Sequence, residues 1–195
     1  MNELHHFLRT RRSIRRFKPD PVPALVVDRI LATATFAPSA HNLQPWRFVR
    51  IQSSSAKKKL GATLTGKMRT DMGAEGADPA QITNRVEISL RRIDEAPVII
   101  LLCRDKAAIR KEEPKEEIMG IQSVALVGLQ LMLATHAEGL GANWICWPLY
   151  AQQEIIDTLD LSRNWQPEAM FFLGYADEEP KDTDRKSVME LHISR

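Results

Sequence analysis

"APSAHNLQPWRF", residues 37–48, is the stretch on which the reading of the fold turns. Two prolines, Pro38 and Pro45, bracket small and amide-bearing residues, and the chain then enters the aromatic and β-branched run Trp46–Ile51. That pattern predicts a loop followed by a strand. Such a loop can bring the hydroxyl of Ser39 and the amides of Asn42 and Gln44 to a planar polar heterocycle. It can equally be a polar connection with no ligand, and the residues alone leave both readings open. His41, inside the loop, is read as a packing or hydrogen-bonding residue before a proton donor.

Upstream lies "RTRRSIRRF", residues 9–17, with five arginines and one serine in nine positions. A guanidinium offers a two-pronged donor that matches phosphate, and a serine hydroxyl between two of them adds another donor. A solvated charge run, a nucleic-acid arm and a phosphate pocket all fit this segment by itself. Downstream, "GLGANWICWPL", residues 139–149, combines glycines with Trp147-Pro148 at the end of an expected strand, 143–147. Glycines permit close backbone approach, and Gly139 alone suits an ordinary helix cap.

Between these segments the chain alternates helical and extended patterns. Helices are expected over residues 3–8, 25–36 (apolar face Leu25, Val26, Ile30, Leu31 and Ala34), 57–67 and 152–159, with a second polar helix running to about Ile93. Gly73–Pro79 is the most linker-like stretch, so an excursion at about 64–92 is expected to act as a lid within one domain spanning 1–195. Residues 98–103, VIILLC, are short and continuous enough for a strand buried on both faces, and 169–174 make another strand. The helix from about Glu116 to Ala137 is apolar nearly all round and must be covered on every side, which points to a dimer.

Composition narrows the classes. Lysine and arginine number 27 against 25 acidic residues, so the basic cluster is balanced elsewhere and a wholly basic nucleic-acid footprint is not indicated. Cys103 and Cys146 stand far apart without zinc spacing, so neither a disulfide framework nor a metal is expected, and a reducing cytoplasm is the default compartment. The first twelve residues contain no apolar run of signal-peptide length. A membrane span is not expected. Phosphate-loop, dinucleotide-fold, serine-hydrolase and zinc-protease signatures are absent from the sequence.

The three segments, in this order and spacing, resemble the flavin-dependent nitroreductase family over essentially the whole chain. The resemblance implies an α+β fold with a central, mainly antiparallel sheet flanked by helices, and a long central helix at a homodimer interface. It also implies FMN: Arg11, Arg12, Ser13 and Arg15 at the phosphate and ribityl chain, with Arg185 or Lys186 closing on the phosphate. Ser39, Asn42 and Gln44 would come from the opposite subunit, with His41 beside them, and Trp147, Pro148 and Leu149 would sit by the reactive part of the ring. "KMRTDM" at 67–72 and "NWQPEAMFFLGYADEEP" at 164–180 look, more narrowly, like the nitroreductase-type C-terminal domain of the γ-glutamyl ligase of deazaflavin-coenzyme synthesis. The implied activity passes a hydride from NAD(P)H, or a reduced deazaflavin, to a nitroaromatic, quinone or enone, or to a precursor of that coenzyme. With the flavin supplying the redox chemistry, no catalytic acid or base is required of the chain.

Overall fold

Apolar runs of opposite facing build the sheet, and the charged stretches between them become helix surfaces and turns. The structure, a computed structural model, describes residues 2–180 and 183–195. In chain order it contains α1 (Glu3–Thr10), α2 (Ala24–Ala34), β1 (Trp46–Ile51), α3 (Ser54–Ala74), α4 (Pro79–Glu95), β2 (Val98–Asp105), α5 (Pro114–Ala137), β3 (Gly141–Ile145), α6 (Gln152–Thr158), β4 (Trp165–Gly174) and α7 (Val188–Leu191). The strands form one sheet in the order β1-β2-β4-β3, every neighbouring pair antiparallel. This is the α+β architecture expected above.

All eight residues of β2 are buried, as its uninterrupted apolar run predicts. Alternation along the strands sends Val98, Ile100, Leu102, Phe171 and Leu173 to one face, against Val27 and Ile30 of α2 and Val124, Val127 and Leu131 of α5. Ile99, Leu101, Cys103, Met170 and Phe172 take the other face, against Leu60 and Leu64 of α3, Ile93 of α4 and Ile155 of α6. The sheet is therefore covered on both sides. Burial pushes the Cys103 thiol up to about 12, helped by the nearby Glu168 carboxylate, so this sulfur is an inert packing group.

Several boundaries differ from the sequence expectation for identifiable reasons. β2 continues to Asp105 because the buried guanidinium of Arg104 finds partners: Nε donates to Glu168 at 2.8 Å, and Nη2 to Gln166 at 2.8 Å and Glu117 at 3.1 Å. A charge that finds three oxygens can sit where an unpaired one could not. The buried α2 face is Val27, Ile30 and Ala34, with Val26 and Leu31 partly buried against the same core, while Leu25 is left exposed. Gly73 lies inside α3, and the connection to α4 shrinks to residues 75–78, where the Asp78 carboxylate caps α4 by accepting from the amides of Ala80 and Gln81. The expected strand 143–147 instead ends at Ile145. Pro148 opens a 3-10 turn, Trp147–Tyr150, because it has no amide to give a ladder.

Candidate functional site

The arginine segment is not free in solvent. Ser13 bridges to Ala142 and the Ile14 amide donates to Ala142 O at 3.0 Å, fastening the segment to the edge of β3. Phe17 bridges to Ala176 and the Lys18 amide donates to Tyr175 O at 2.9 Å, beyond the end of β4. Glu178 accepts from the amides of Arg15 and Arg16 and from Arg16 Nε at 3.4 Å. Burial alone would raise its carboxyl, but those donors outweigh burial and hold it below the ordinary carboxylate range. With the backbone held this way, Arg11, Arg12, Ser13 and Arg15 line a cleft of about 360 Å³ together with Arg185. Lys186 is exposed and outside that lining.

Within this cleft Arg11 Nη1 is buried and, among the described residues, has no hydrogen-bond partner. Its guanidinium is lowered from the usual value, first by burial and then by the charges of Arg12 and Arg185. A buried, unsatisfied cationic donor facing two like charges is costly unless an anion completes it. The donor set fits a phosphate, which accepts several such bonds at once. His136 stands beside it, stacked on Phe7 with centroids 4.9 Å apart and 3.1 Å from Thr10 Oγ1. It brings a second histidine next to a site residue, which sequence spacing gave no means of seeing.

The glycines of "GLG" divide their work. Gly139 takes φ +73 just past α5, with its amide on His136 O and the Leu140 amide on Thr135 O, which closes the helix. Gly141 serves close approach: a Cβ there would stand 2.6 Å from Ile14 Cβ and 2.7 Å from Ile14 Cγ1. Gly141→Ala is therefore expected to cost about 1–3 kcal/mol as an overpacking change and to loosen the arginine segment. The check is limited trypsin digestion, with faster cleavage within residues 11–16 than in the wild type at equal temperature.

From Gly141 the strand leads to the Trp147–Tyr150 turn, roughly 15 Å away at about 3.3 Å per residue. Pro148 is buried there and Leu149 exposed. Trp147 and Tyr150 form one wall of a second cleft, of about 600 Å³, whose other wall comes from Lys67, Met68, Met72 and Arg85 of α3 and α4. The sequence marks the tryptophan side and, as the excursion at 64–92, the segment that supplies the other wall, while tertiary packing decides which of its side chains face the turn. The clefts thus lie toward opposite ends of β3.

The loop 39–44 lies at the other edge of the sheet. Its φ angles are positive at His41 (51°), Asn42 (55°) and Gln44 (48°), a strained path for residues with side chains. Internal bonds support it: the Gln44 amide to Ser39 Oγ at 3.1 Å, Gln44 Nε2 to Asn42 Oδ1 at 3.1 Å, and the Ala40 amide to Ser123 Oγ of α5 at 3.1 Å. Three strand spacings, roughly 14 Å, separate this edge from β3. One chain does not bring Ser39, His41, Asn42 and Gln44 to Trp147. On α5, meanwhile, Ile118, Ile121, Leu126 and Leu129 are 42–55% exposed and form an uncovered apolar stripe. α5 is long and apolar enough to cross a membrane by length and composition, with half of that window buried inside the fold.

Residues 8–175 match the Nitroreductase family, and the chain belongs to it. Among curated relatives, 5,6-dimethylbenzimidazole synthase of Rhodospirillum rubrum is 30% identical over 173 residues, covering 87% of this chain and 80% of the relative. YfhC of Bacillus subtilis, provisionally named an NAD(P)H nitroreductase, is 26% identical over 96% of this chain and 91% of its own length. Among solved structures, an FMN-dependent nitroreductase of Clostridium difficile R20291 superimposes with a TM-score of 0.70 at 26% identity, covering 97% of this chain and 98% of that one.

Proposed function

We propose that the chain is an FMN-dependent oxidoreductase, working as a homodimer, that passes two electrons from NAD(P)H to a small organic acceptor such as a nitroaromatic, quinone or enone. The buried Arg11 Nη1, without a hydrogen-bond partner among the described residues and in a cleft that Arg12, Arg15, Arg16 and Arg185 also line, carries this reading, in a chain of the Nitroreductase family with an FMN-dependent structural relative. When bound, the flavin supplies the redox chemistry, the nicotinamide being oxidised and the acceptor reduced by the same two electrons.

The chain's own residues bind and orient. Arg11, Arg12, Ser13 and Arg15 hold the phosphate, with Arg185 on the cleft wall and Lys186 next to it in the chain. Trp147, Pro148 and Leu149 meet the ring, at the far end of β3 from the arginines. Ser39, Asn42 and Gln44, with the exposed His41 beside them, reach the ring of a second copy, since three strand spacings separate them from their own Trp147. The exposed α5 stripe supplies the apolar surface on which two copies join. The excursion 64–92 shapes the acceptor side through Met68, Met72 and Arg85, on a base anchored in the core by Leu60, Leu64 and Ile93.

Steady-state oxidation of NADH and NADPH, with menadione or nitrofurazone as acceptor, tests the assignment. Parallel double-reciprocal lines are expected, because donor and acceptor use one cleft in turn. Reduced deazaflavin is assayed beside them as the other hydride donor the sequence suggests. The Rhodospirillum rubrum relative supplies a control: if 5,6-dimethylbenzimidazole appears, the chain shares that synthase activity and the electron-transfer assignment is wrong.

A further inference from the structure

We propose that the cleft between α3, α4 and the Trp147–Tyr150 turn selects a planar aromatic acceptor bearing an anionic substituent, and that Arg85 is the residue that recognises that charge. This rests on reading the cleft as the acceptor site. Its space, about 600 Å³, suits a small substrate and not a large one. Met68 and Met72 offer polarizable thioethers, and Trp147 and Tyr150 offer flat faces, a combination that favours a planar ring.

The charges in the cleft are not equivalent. Lys67 and Asp71, one turn apart on α3, form an ion pair. The Lys67 ammonium is raised first by its bond to Asp71, against the opposing effect of burial, with Glu154 adding to it. Its positive charge is committed. Arg85 reaches the cleft from α4, and no hydrogen bond or ion pair to it is found among the described residues. Glu75, on the same rim, forms no ion pair with it and repels an anion from its own side. An anionic substituent entering with an aromatic ring therefore has one uncommitted partner, Arg85, whose two-pronged donor matches a carboxylate.

The experiment compares 4-nitrobenzoate with the neutral 4-nitrobenzyl alcohol, using the full-length flavin-loaded protein and its Arg85→Gln and Arg85→Lys variants. Because Arg85 is solvent-exposed, the expected effect is modest. The ratio of kcat/KM for nitrobenzoate over the alcohol should fall about fivefold in Arg85→Gln, through KM and not kcat. Arg85→Lys should restore part of it, and added salt should lower the ratio only in proteins that keep the cation. An unchanged ratio overturns the proposal. Calorimetric titration of 4-nitrobenzoate without any electron donor separates the two readings. If the wild type turns over neither acceptor, the oxidoreductase assignment fails, and the titration still decides Arg85: weaker binding by Arg85→Gln upholds it, and equal or absent binding overturns it.

Discussion

The double variant Arg11→Ala/Arg15→Ala is expected to purify as a folded, colourless protein. Among the described residues Arg11 Nη1 has no hydrogen-bond partner, and its guanidinium feels the like charges of Arg12 and Arg185. Removing it takes none of their hydrogen bonds away. The arm stays in place, because Glu178 grips the backbone amides of Arg15 and Arg16 and not the Arg15 side chain. Each charge-assisted bond to a phosphate contributes about 1.5–3 kcal/mol. Losing two should weaken flavin binding roughly a hundredfold to ten-thousandfold. The ratio of flavin to protein absorbance after purification reads this directly, and circular dichroism should show an unaltered fold. A variant that keeps the wild-type ratio would show that the cleft holds some other anion.

Leu126→Arg should cost the dimer and the flavin together. Leu126 is 42% exposed in the single chain, so the variant keeps its own core intact. In a two-fold interface the residue appears twice, and two guanidinium groups would be buried against apolar surface without partners. An uncompensated buried charge costs about 3–5 kcal/mol, enough to separate most dimers at micromolar concentration. With Ser39, Asn42 and Gln44 proposed to meet the ring of a second copy, the monomer should release its flavin. Sedimentation velocity with detection at a flavin wavelength follows both events. A wild-type monomer that carries flavin, or a Leu126→Arg monomer that retains it, would remove the case for a shared site.

Local signals in the chain carried most of the strands. The continuous run at 98–103 could be nothing but buried, and β1 begins and ends where its aromatic and β-branched residues do. Gly139 announced the end of α5 because few residues tolerate the left-handed turn it makes. The misplaced boundaries are those decided by distant partners. Arg104 extends β2 only because Glu168, Gln166 and Glu117 arrive from elsewhere, and nothing near position 104 reveals them. For the site, the arginine cluster and the proline-bracketed loop were visible as motifs. Their relation was not: that the arginines lie along β3 while the loop lies at the opposite edge follows from strand order, which spacing along the chain does not encode. His136, Glu178, Met68 and Arg85 reach their clefts from separate elements, and no local signal says that these side chains face a cleft.

The identity of the chromophore released from the purified wild-type protein decides whether the arginine cleft holds a flavin phosphate. After heat denaturation and removal of the polypeptide, mass spectrometry and absorbance should identify FMN, at one molecule per chain. A preparation that releases no flavin, and that takes up none when titrated with FMN, would contradict the assignment of the arginine cleft as a flavin phosphate site.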